Sequence, residues 1–374
     1  MKNTLRLSLA IAISLSIAAC NDGDIWKPTP PTPPTPPPTP ATFDMSGTII
    51  KGALIGAKVQ IYRASDTALS SPLTTEPADV QTDDNGDYEA TVVDASGTDI
   101  SGALVVNITA DADTQMRCDA AVMCGTTLRG DLIPNAEVAG LSLSTITLAT
   151  GDGAAVNADA NTLTTMATDA VLEQVAANPN IPIDTLPAAG LAALQQNASS
   201  IVGQILGLDL STTNIYEIKI VDASNTDAVT DAATAAGEAA SITNTLTFLN
   251  ASLASLDVAE GSTIGDTINH YVDNVAVVSA VVVEAVANDE EIGAALATVD
   301  AGIRAELAST QQEVSDQVTL VKDAVEDDSG VTFESTPVPA AVSDESISEV
   351  IIVDIPVEAT GGTGGTGGTG GTGG

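Results

Sequence analysis

The sequence is poor in several of the side chains on which protein chemistry depends. Its 374 residues include one histidine, three cysteines, one tryptophan and only 2% aromatic residues. Zinc needs three or four converging nitrogen and sulfur ligands, so this supply excludes most zinc chemistry. Eleven scattered Lys and Arg stand against 50 Asp and Glu, which argues against a partner with a phosphate backbone. We therefore expect no metal, no other cofactor and no nucleic acid.

Aliphatic residues, by contrast, are plentiful. Hydrophobic residues make up 44% of the chain, so wholesale disorder is excluded despite a formal net charge of −39. The core must be built mainly from Ala, Val, Ile and Leu. A chain of this length has room for two domains with linkers.

The first nineteen residues have the parts of an export signal. Lys2 and Arg6 precede an apolar run, Leu7 to Ala19, that is too short to span a bilayer. This run leads into Ile17-Ala18-Ala19-Cys20, which resembles the lipobox of bacterial lipoproteins. The resemblance implies cleavage before Cys20, diacylglycerol on its thiol and a further acyl chain, such as palmitate, on the new amino terminus. The alternative is an ordinary signal peptide with a chance cysteine.

The residues after Cys20 indicate where the anchored protein resides. Asn21 is not the aspartate that, in this family, retains lipoproteins at the inner membrane, so the resemblance implies the outer membrane. Nine of the thirteen residues from Pro28 to Pro40 are proline. They predict a polyproline II spacer about 40 Å long. Docking of a proline-binding module is the alternative role of this tract.

Short β-rich runs separated by Gly and Pro follow, from Asp44 to about Ala112. The predicted strands are Ser46–Lys51, Lys58–Tyr62, Tyr88–Val93 and Leu104–Thr109. The run from Gly47 to Tyr62, followed by Thr82 to Tyr88, resembles the carboxypeptidase-regulatory-like and Cna-B-type domains of surface proteins. The resemblance covers about seventy residues and implies a small antiparallel, immunoglobulin-like β-sandwich. It says little about function.

Some Cna-B-type domains carry a covalent cross-link between a lysine and an asparagine, assisted by a carboxylate. Lys51 or Lys58, Asn107 and Glu89 lie on strands in a compatible order. Lys58 alternates with core residues and Lys51 adjoins a glycine turn, so we expect all of these to be ordinary surface residues.

The run Asp83 to Asp87 offers oxygen ligands at alternate positions, but it lacks the glycine and the twelfth-position glutamate of a calcium-binding EF-hand. Asn85-Gly86 instead predicts a hairpin turn. A calcium loop is the alternative.

Cys118 and Cys124 are the two cysteines that remain if Cys20 carries lipid. In an oxidising compartment we expect them to form a structural disulfide. A redox-active pair is the alternative, but five residues separate them, and catalytic pairs usually have two.

Helical periodicity dominates beyond Leu163. The predicted helices are Asn161–Ala177, Leu186–Leu206 with Thr185 as its N-cap, Thr226–Leu256, Ser262–Ala287 and Glu290–Glu326. Their apolar stripes need partners, which predicts an antiparallel bundle. Ser346–Ile355 reads as a single strand, and five Thr-Gly-Gly repeats close the chain.

Candidate catalytic groups are few. His270 is near Asp266 and Asp273, but the chain has no Gly-x-Ser-x-Gly elbow, so we interpret it as a solvated or partly packed residue. The pairs Glu290-Glu291 and Asp327-Asp328 read as solvated faces rather than opposed catalytic carboxylates.

The sequence thus predicts an α+β multidomain protein in which a small antiparallel β-sandwich is followed by an antiparallel helical bundle. The expected segments are a signal peptide (1–19), a lipid anchor and Pro-rich linker (20–42), a β-sandwich with its Cys-Cys exit (43–134), a helical bundle (135–330) and a C-terminal strand with its tail (331–374). We expect a cell-envelope lipoprotein, not an enzyme, with a structural or protein-interaction role. Its expected partners are the membrane and an envelope protein. The alternative is capture or sensing of a ligand in a cleft of the helical region.

Overall fold

A nearly closed, barrel-like sheet and a set of helices packed on it make up residues 40–95 and 100–357, the part of the chain that the computed structural model describes. The predicted signal peptide, Cys20, almost all of the proline tract and the Thr-Gly-Gly repeats lie outside these residues. The strands are β1 Ala41–Ile50, β2 Leu54–Ile55, β3 Lys58–Arg63, β4 Thr74–Glu76, β5 Val80–Gln81, β6 Asp87–Asp94, β7 Ser101–Thr109, β8 Gln115–Arg117, β9 Met123–Cys124, β10 Thr127–Leu128, β11 Leu132–Ile133, β12 Ser142–Thr150, β13 Val156–Asn157 and β14 Ala160–Asn161. The helices are α1 Asn135–Val138, α2 Thr162–Ala177, α3 Ala188–Ile205, α4 Thr226–Ala236, α5 Ala240–Ser252, α6 Ile264–Ala287, α7 Ile292–Leu296, α8 Ala301–Ser329 and α9 Asp344–Ile347.

The main sheet has the strand order β4-β6-β1-β14-β12-β7-β3-β5. The four predicted strands correspond to β1, β3, β6 and β7. The turn between β5 and β6 connects one end of this order to the strand next to the other end. Its Asp83 N–H donates to Asp87 O at 2.8 Å, and Gly86 has φ +83°, as the Asn85-Gly86 signal predicted. Asp83 Oδ1 accepts the backbone N–H groups of Asn85 and Asp87 in this turn.

The prediction of a β-sandwich followed by a helical bundle is wrong, because strands beyond residue 134 complete the sheet. β12 pairs with β7 along its whole length, from Ser142 opposite Thr109 to Thr150 opposite Ser101. β13 and β14 run parallel to β1, and β14 also bridges to β12. Residues assigned to the bundle therefore occupy the centre of the sheet, and the fold is mixed α/β.

The sheet continues directly into α2 through a polar turn. Asn161 caps the helix, since its Oδ1 accepts the N–H groups of Leu163 and Thr164 at 2.9 and 3.0 Å. Beyond the end of β14, threonine hydroxyls of α2 form hydrogen bonds with the backbone of β12. Ser144 N–H donates to Thr165 Oγ1 at 2.9 Å, and Thr164 Oγ1 donates to Ser144 O at 2.8 Å. The first turn of α2 is thus tied to the sheet.

The helical predictions are right in type and less accurate in extent. α2 and α6 match their predicted spans within two residues. α3 begins after Pro187 rather than with Thr185 as its cap. The long third prediction divides into α4 and α5 at Gly237, whose φ is +57°. The fifth divides into α7 and α8, and Asp300 caps α8 by accepting the N–H of Gly302 at 2.7 Å.

The predicted strand Ser346–Ile355 is not a strand. Its start is the short helix α9, and the rest lies extended against α3 without a partner strand among the described residues. Asn197 on α3 binds both backbone groups of Val353, accepting its N–H at 2.8 Å and donating to its O at 3.0 Å. Ser200 Oγ accepts the N–H of Ile351 at 3.2 Å. Side chains of a helix therefore take the place of a neighbouring strand for this segment.

Helix α6 is, within the described residues, the one helix long and apolar enough to cross a membrane by length and composition. Half of its most apolar window is buried inside the fold. A core helix passes the same test, so this finding identifies no membrane span.

Candidate functional site

A fully buried lysine marks the junction between the sheet and the helices. Lys51 follows β1 and is 0% exposed. Its Nζ lies 3.1 Å from Asp119 Oδ1 and 3.4 Å from Ala251 O at the end of α5. Asp119 is also 0% exposed and sits inside the segment closed by Cys118 and Cys124. We call the contacts around Lys51 and Asp119 the junction.

Burial moves the pKa values of the two groups towards each other. Loss of hydration lowers the pKa of Lys51, and the nearby carboxylates of Asp119 and Asp222 partly oppose this. Loss of hydration likewise raises the pKa of Asp119, while Lys51 acts in the opposite direction. A lysine and an aspartate in such surroundings are stable only as a pair, because either alone would be a buried and uncompensated group.

The turn that carries Lys51 requires a glycine. Gly52 has φ +57°, and its N–H donates to Asp119 Oδ2 at 2.7 Å. A Cβ atom at this position would lie 1.8 Å from Arg117 O. Both oxygens of Asp119 are therefore occupied, one by the lysine amine and one by the Gly52 backbone.

A second carboxylate joins the junction to the start of α4. Asp222 is buried, and its Oδ2 lies 3.7 Å from Arg117 Nε and 3.4 Å from Ala53 N. Its Oδ1 accepts the backbone N–H and the hydroxyl of Ser224 at 2.8 and 2.7 Å. Asp222 thus contacts β8 and the turn before β2 with one oxygen and the loop before α4 with the other.

Arg129 ties the same region to α8. Its Nη1 donates to Asp119 O and Ala120 O at 3.0 and 2.8 Å, and its Nη2 donates to Ala223 O. Its Nε donates to Asp328 Oδ2 at 3.1 Å. One guanidinium therefore links the disulfide-closed loop, the segment before α4 and the end of α8.

Cys118 and Cys124 are joined by a disulfide, as the sequence predicted, and both are 0% exposed. The loop that the disulfide closes leads into a small hairpin in which β9 pairs with β10. The hairpin carries exposed apolar side chains. Val122 is 64% exposed, Met123 45% and Leu128 56%, and Met123 and Leu128 are cross-strand partners. We call these three side chains the apolar tip.

A separate cleft of about 480 Å³ lies between the helices. Its apolar wall is formed by residues of α3, α6, α7, α8 and α9 and of the connecting segments, namely Ile205, Val278, Leu296, Val299, Leu307, Val342 and Ile347. Three small residues of α8, Ala301, Ala305 and Ala308, leave the space open. The polar groups in its wall are Arg304, Gln311 and Asp344. We call this space the helical cleft.

The structure separates most of the other candidate residues. Lys58 is exposed on β3, Asn107 pairs in register with Gln60, and Glu89 is exposed on β6 opposite Ser46. The Lys51 amine instead binds Asp119 Oδ1 and Ala251 O. The expectation that Lys51 lies on the surface is wrong. It is buried because α5 and the Cys118–Cys124 loop cover the end of β1.

His270 Nε2 lies 2.7 Å from Glu306 Oε1, and both side chains are exposed. Asp328, one of the paired acidic residues, is 55% exposed and binds Arg129. Within residues 40–95 and 100–357, no group of three or more His, Cys, Asp or Glu side chains is arranged to hold a metal ion.

Sequence reasoning missed Asp119, Asp222 and Arg129. The available signal was weak: Asp119 lies between a cysteine and two alanines, Ala120 and Ala121, and these residue types are often buried. Nothing in the sequence indicates that its partner is Lys51.

Comparison of the chain with protein-family models, with curated proteins and with solved structures finds no match.

Proposed function

We propose that this chain is a lipid-anchored cell-envelope protein whose folded body has a structural or protein-interaction role and no catalytic one. The observation that carries the proposal is the apolar tip. Three exposed apolar side chains sit on a hairpin that a disulfide and Arg129 hold in place. A rigid apolar projection loses little conformational entropy on binding, which favours a docking contact with another protein.

Photocrosslinking in the cells that make the protein tests this role. A benzoylphenylalanine residue is placed at Leu128, with exposed Ala235 on α4 as the matched control position. We expect a discrete crosslinked product from Leu128 that is absent from the control. It should also disappear when Met123→Lys places a charge beside the probe. Identical products from both positions would contradict the proposed role of the apolar tip.

The lipid anchor has its own test. The lipobox resemblance places the acyl chains on Cys20, so Cys20→Ala should abolish incorporation of a labelled fatty acid and release the protein from membranes. Cys118→Ala, which removes another cysteine, is the control and should still be labelled. Label that persists in Cys20→Ala would refute the anchor without affecting the role proposed for the apolar tip. Fractionation of the two membranes tests the proposed outer-membrane location.

A second function is favoured by the helical cleft. Its volume is in the range of small-molecule sites, and its wall is mostly apolar with a few polar groups. On this proposal the anchored protein captures or senses a small ligand between its helices.

A further inference from the structure

Gln311 is a buried polar side chain in the wall of the helical cleft. It is 2% exposed, and its Nε2 donates to Leu206 O at 3.1 Å and to Pro339 O at 2.9 Å. These two bonds fix the orientation of the amide. Its Oε1 has no hydrogen-bond partner within the described part of the chain. An unpaired buried acceptor is costly, so a bound molecule with a hydrogen-bond donor would gain stability by supplying one.

The charges around the helical cleft disfavour an anion. Arg304 and Asp344 are the two charged residues in its wall, and they pair with each other, Nη2 to Oδ2, at 3.0 Å. The cleft therefore offers no unpaired cation to a carboxylate or phosphate. The chain as a whole carries a formal charge of −39, which adds a repulsive field for any anionic ligand.

We propose that the helical cleft binds a neutral amphiphile with an aliphatic body and a hydroxyl group, and that the hydroxyl donates to Gln311 Oε1. This proposal rests on the second function above, ligand capture between the helices. The apolar wall and the alanines of α8 accept the aliphatic body, and Gln311 selects for the donor.

Fluorescence displacement tests both ligand capture in the helical cleft and the ligand class assigned to it. The full chain with Cys20→Ala is used so that no acyl chain or membrane contributes. N-phenyl-1-naphthylamine, a neutral apolar fluorophore with one N–H donor, is the reporter. We expect its fluorescence to rise on binding and to be displaced by 1-decanol. The matched competitors are nonyl methyl ether, an isomer of 1-decanol that lacks the donor, and decanoate, which carries a charge.

We expect 1-decanol to bind at least about tenfold more tightly than nonyl methyl ether, and decanoate to bind more weakly than 1-decanol by a similar factor. No reporter binding would overturn ligand capture itself. Reporter binding with equal displacement by 1-decanol and its isomer, or with decanoate as the tightest competitor, would overturn the assigned ligand class alone.

A pair of variants locates the binding. Ala308 lies in the wall of the helical cleft and is exposed, so Ala308→Trp fills the cleft without repacking the core. Ala235→Trp on the exposed face of α4 is the control. We expect Ala308→Trp to weaken 1-decanol binding at least about tenfold and the control to leave it unchanged. Equal binding by both variants would place the ligand elsewhere and overturn the proposal.

Discussion

Two regions of this acidic protein bury ionisable groups, and they do so in opposite ways. At the junction, Lys51 and Asp119 are fully buried and lie 3.1 Å apart, so each supplies the charge that the other needs. Between α2 and α6, Asp169 is partly buried and faces Asp273 and Glu173. Burial and these two carboxylates raise the pKa of Asp169 to about 7. In the first region the paired charge stabilises the native contacts, whereas in the second an unpaired charge opposes them.

The largest effect is expected from breaking the junction pair. Lys51→Met removes the amine but leaves Asp119 buried, which should lower the free energy of unfolding by about 3–5 kcal/mol. Adding Asp119→Asn removes the orphaned charge and keeps an acceptor for Gly52, so the double variant should recover most of that loss. Urea denaturation of the single and double variants measures both values. A single variant as stable as the parent would show that the pair contributes nothing.

The disulfide should contribute a smaller amount to the same region. It closes a loop of seven residues, for which the chain-entropy model gives about 2.4 kcal/mol. Cys118→Ala with Cys124→Ala should lower the free energy of unfolding by about this much. Urea denaturation of the double variant without reductant measures the change. The parent protein under reducing conditions is the matched comparison, and a much larger loss there would point to strain from the free thiols.

In the second region, removal of the buried charge should raise the free energy of unfolding, and the gain should depend on pH. Because the pKa of Asp169 is raised from 3.8 to about 7, the native state holds a proton that the unfolded state has lost between these values. Stability therefore falls as pH rises from about 4 to 7. Asp169→Asn should be more stable than the parent by about 2 kcal/mol at pH 8, a figure reduced for solvent screening, and equal to it near pH 4.

Thermal unfolding of Asp169→Asn and the parent across this pH range measures the difference. Asp273→Asn removes one of the facing charges and should reproduce part of the gain. A gain from Asp169→Asn that does not vary with pH would contradict the titration of Asp169.

The smallest effect is expected where a close pair is exposed. His270 and Glu306 lie 2.7 Å apart, closer than Lys51 and Asp119, but both are exposed to solvent. His270→Ala should change the free energy of unfolding by no more than about 0.5 kcal/mol in urea denaturation. A loss comparable to that of Lys51→Met would show that the distance between the charges, rather than their burial, decides how much such a pair contributes to the free energy of unfolding.

The sequence predicted elements better than it predicted their assembly. Four strands, the turn at Asn85-Gly86, α2, α6 and the disulfide were all identified from local signals. β12 was missed because two of its buried positions are Ser144 and Thr145, so its hydrophobic alternation is weak. Since β12 and β14 complete the sheet, missing them turned a mixed α/β fold into a sandwich with a separate bundle.

The junction was beyond local reasoning for a different physical reason. Whether Lys51 is solvated depends on what covers the end of β1, and the covering residues come from the Cys118–Cys124 loop and from α5. Alternation within β1 carries no information about either. For the helical cleft, the apolar stripes were visible in the sequence, but the unpaired acceptor of Gln311 emerges only from the packed structure.

The contact of Lys51 with Ala251 spans 200 residues and sets the order in which the molecule can assemble. β1 pairs early with β6, but its other neighbour, β14, comes more than a hundred residues later in the chain. Contacts of such high sequence separation slow folding. During synthesis, β1 therefore keeps an open edge until β13 and β14 have emerged, and a fragment that stops before β12 would expose the edge of β7 to aggregation.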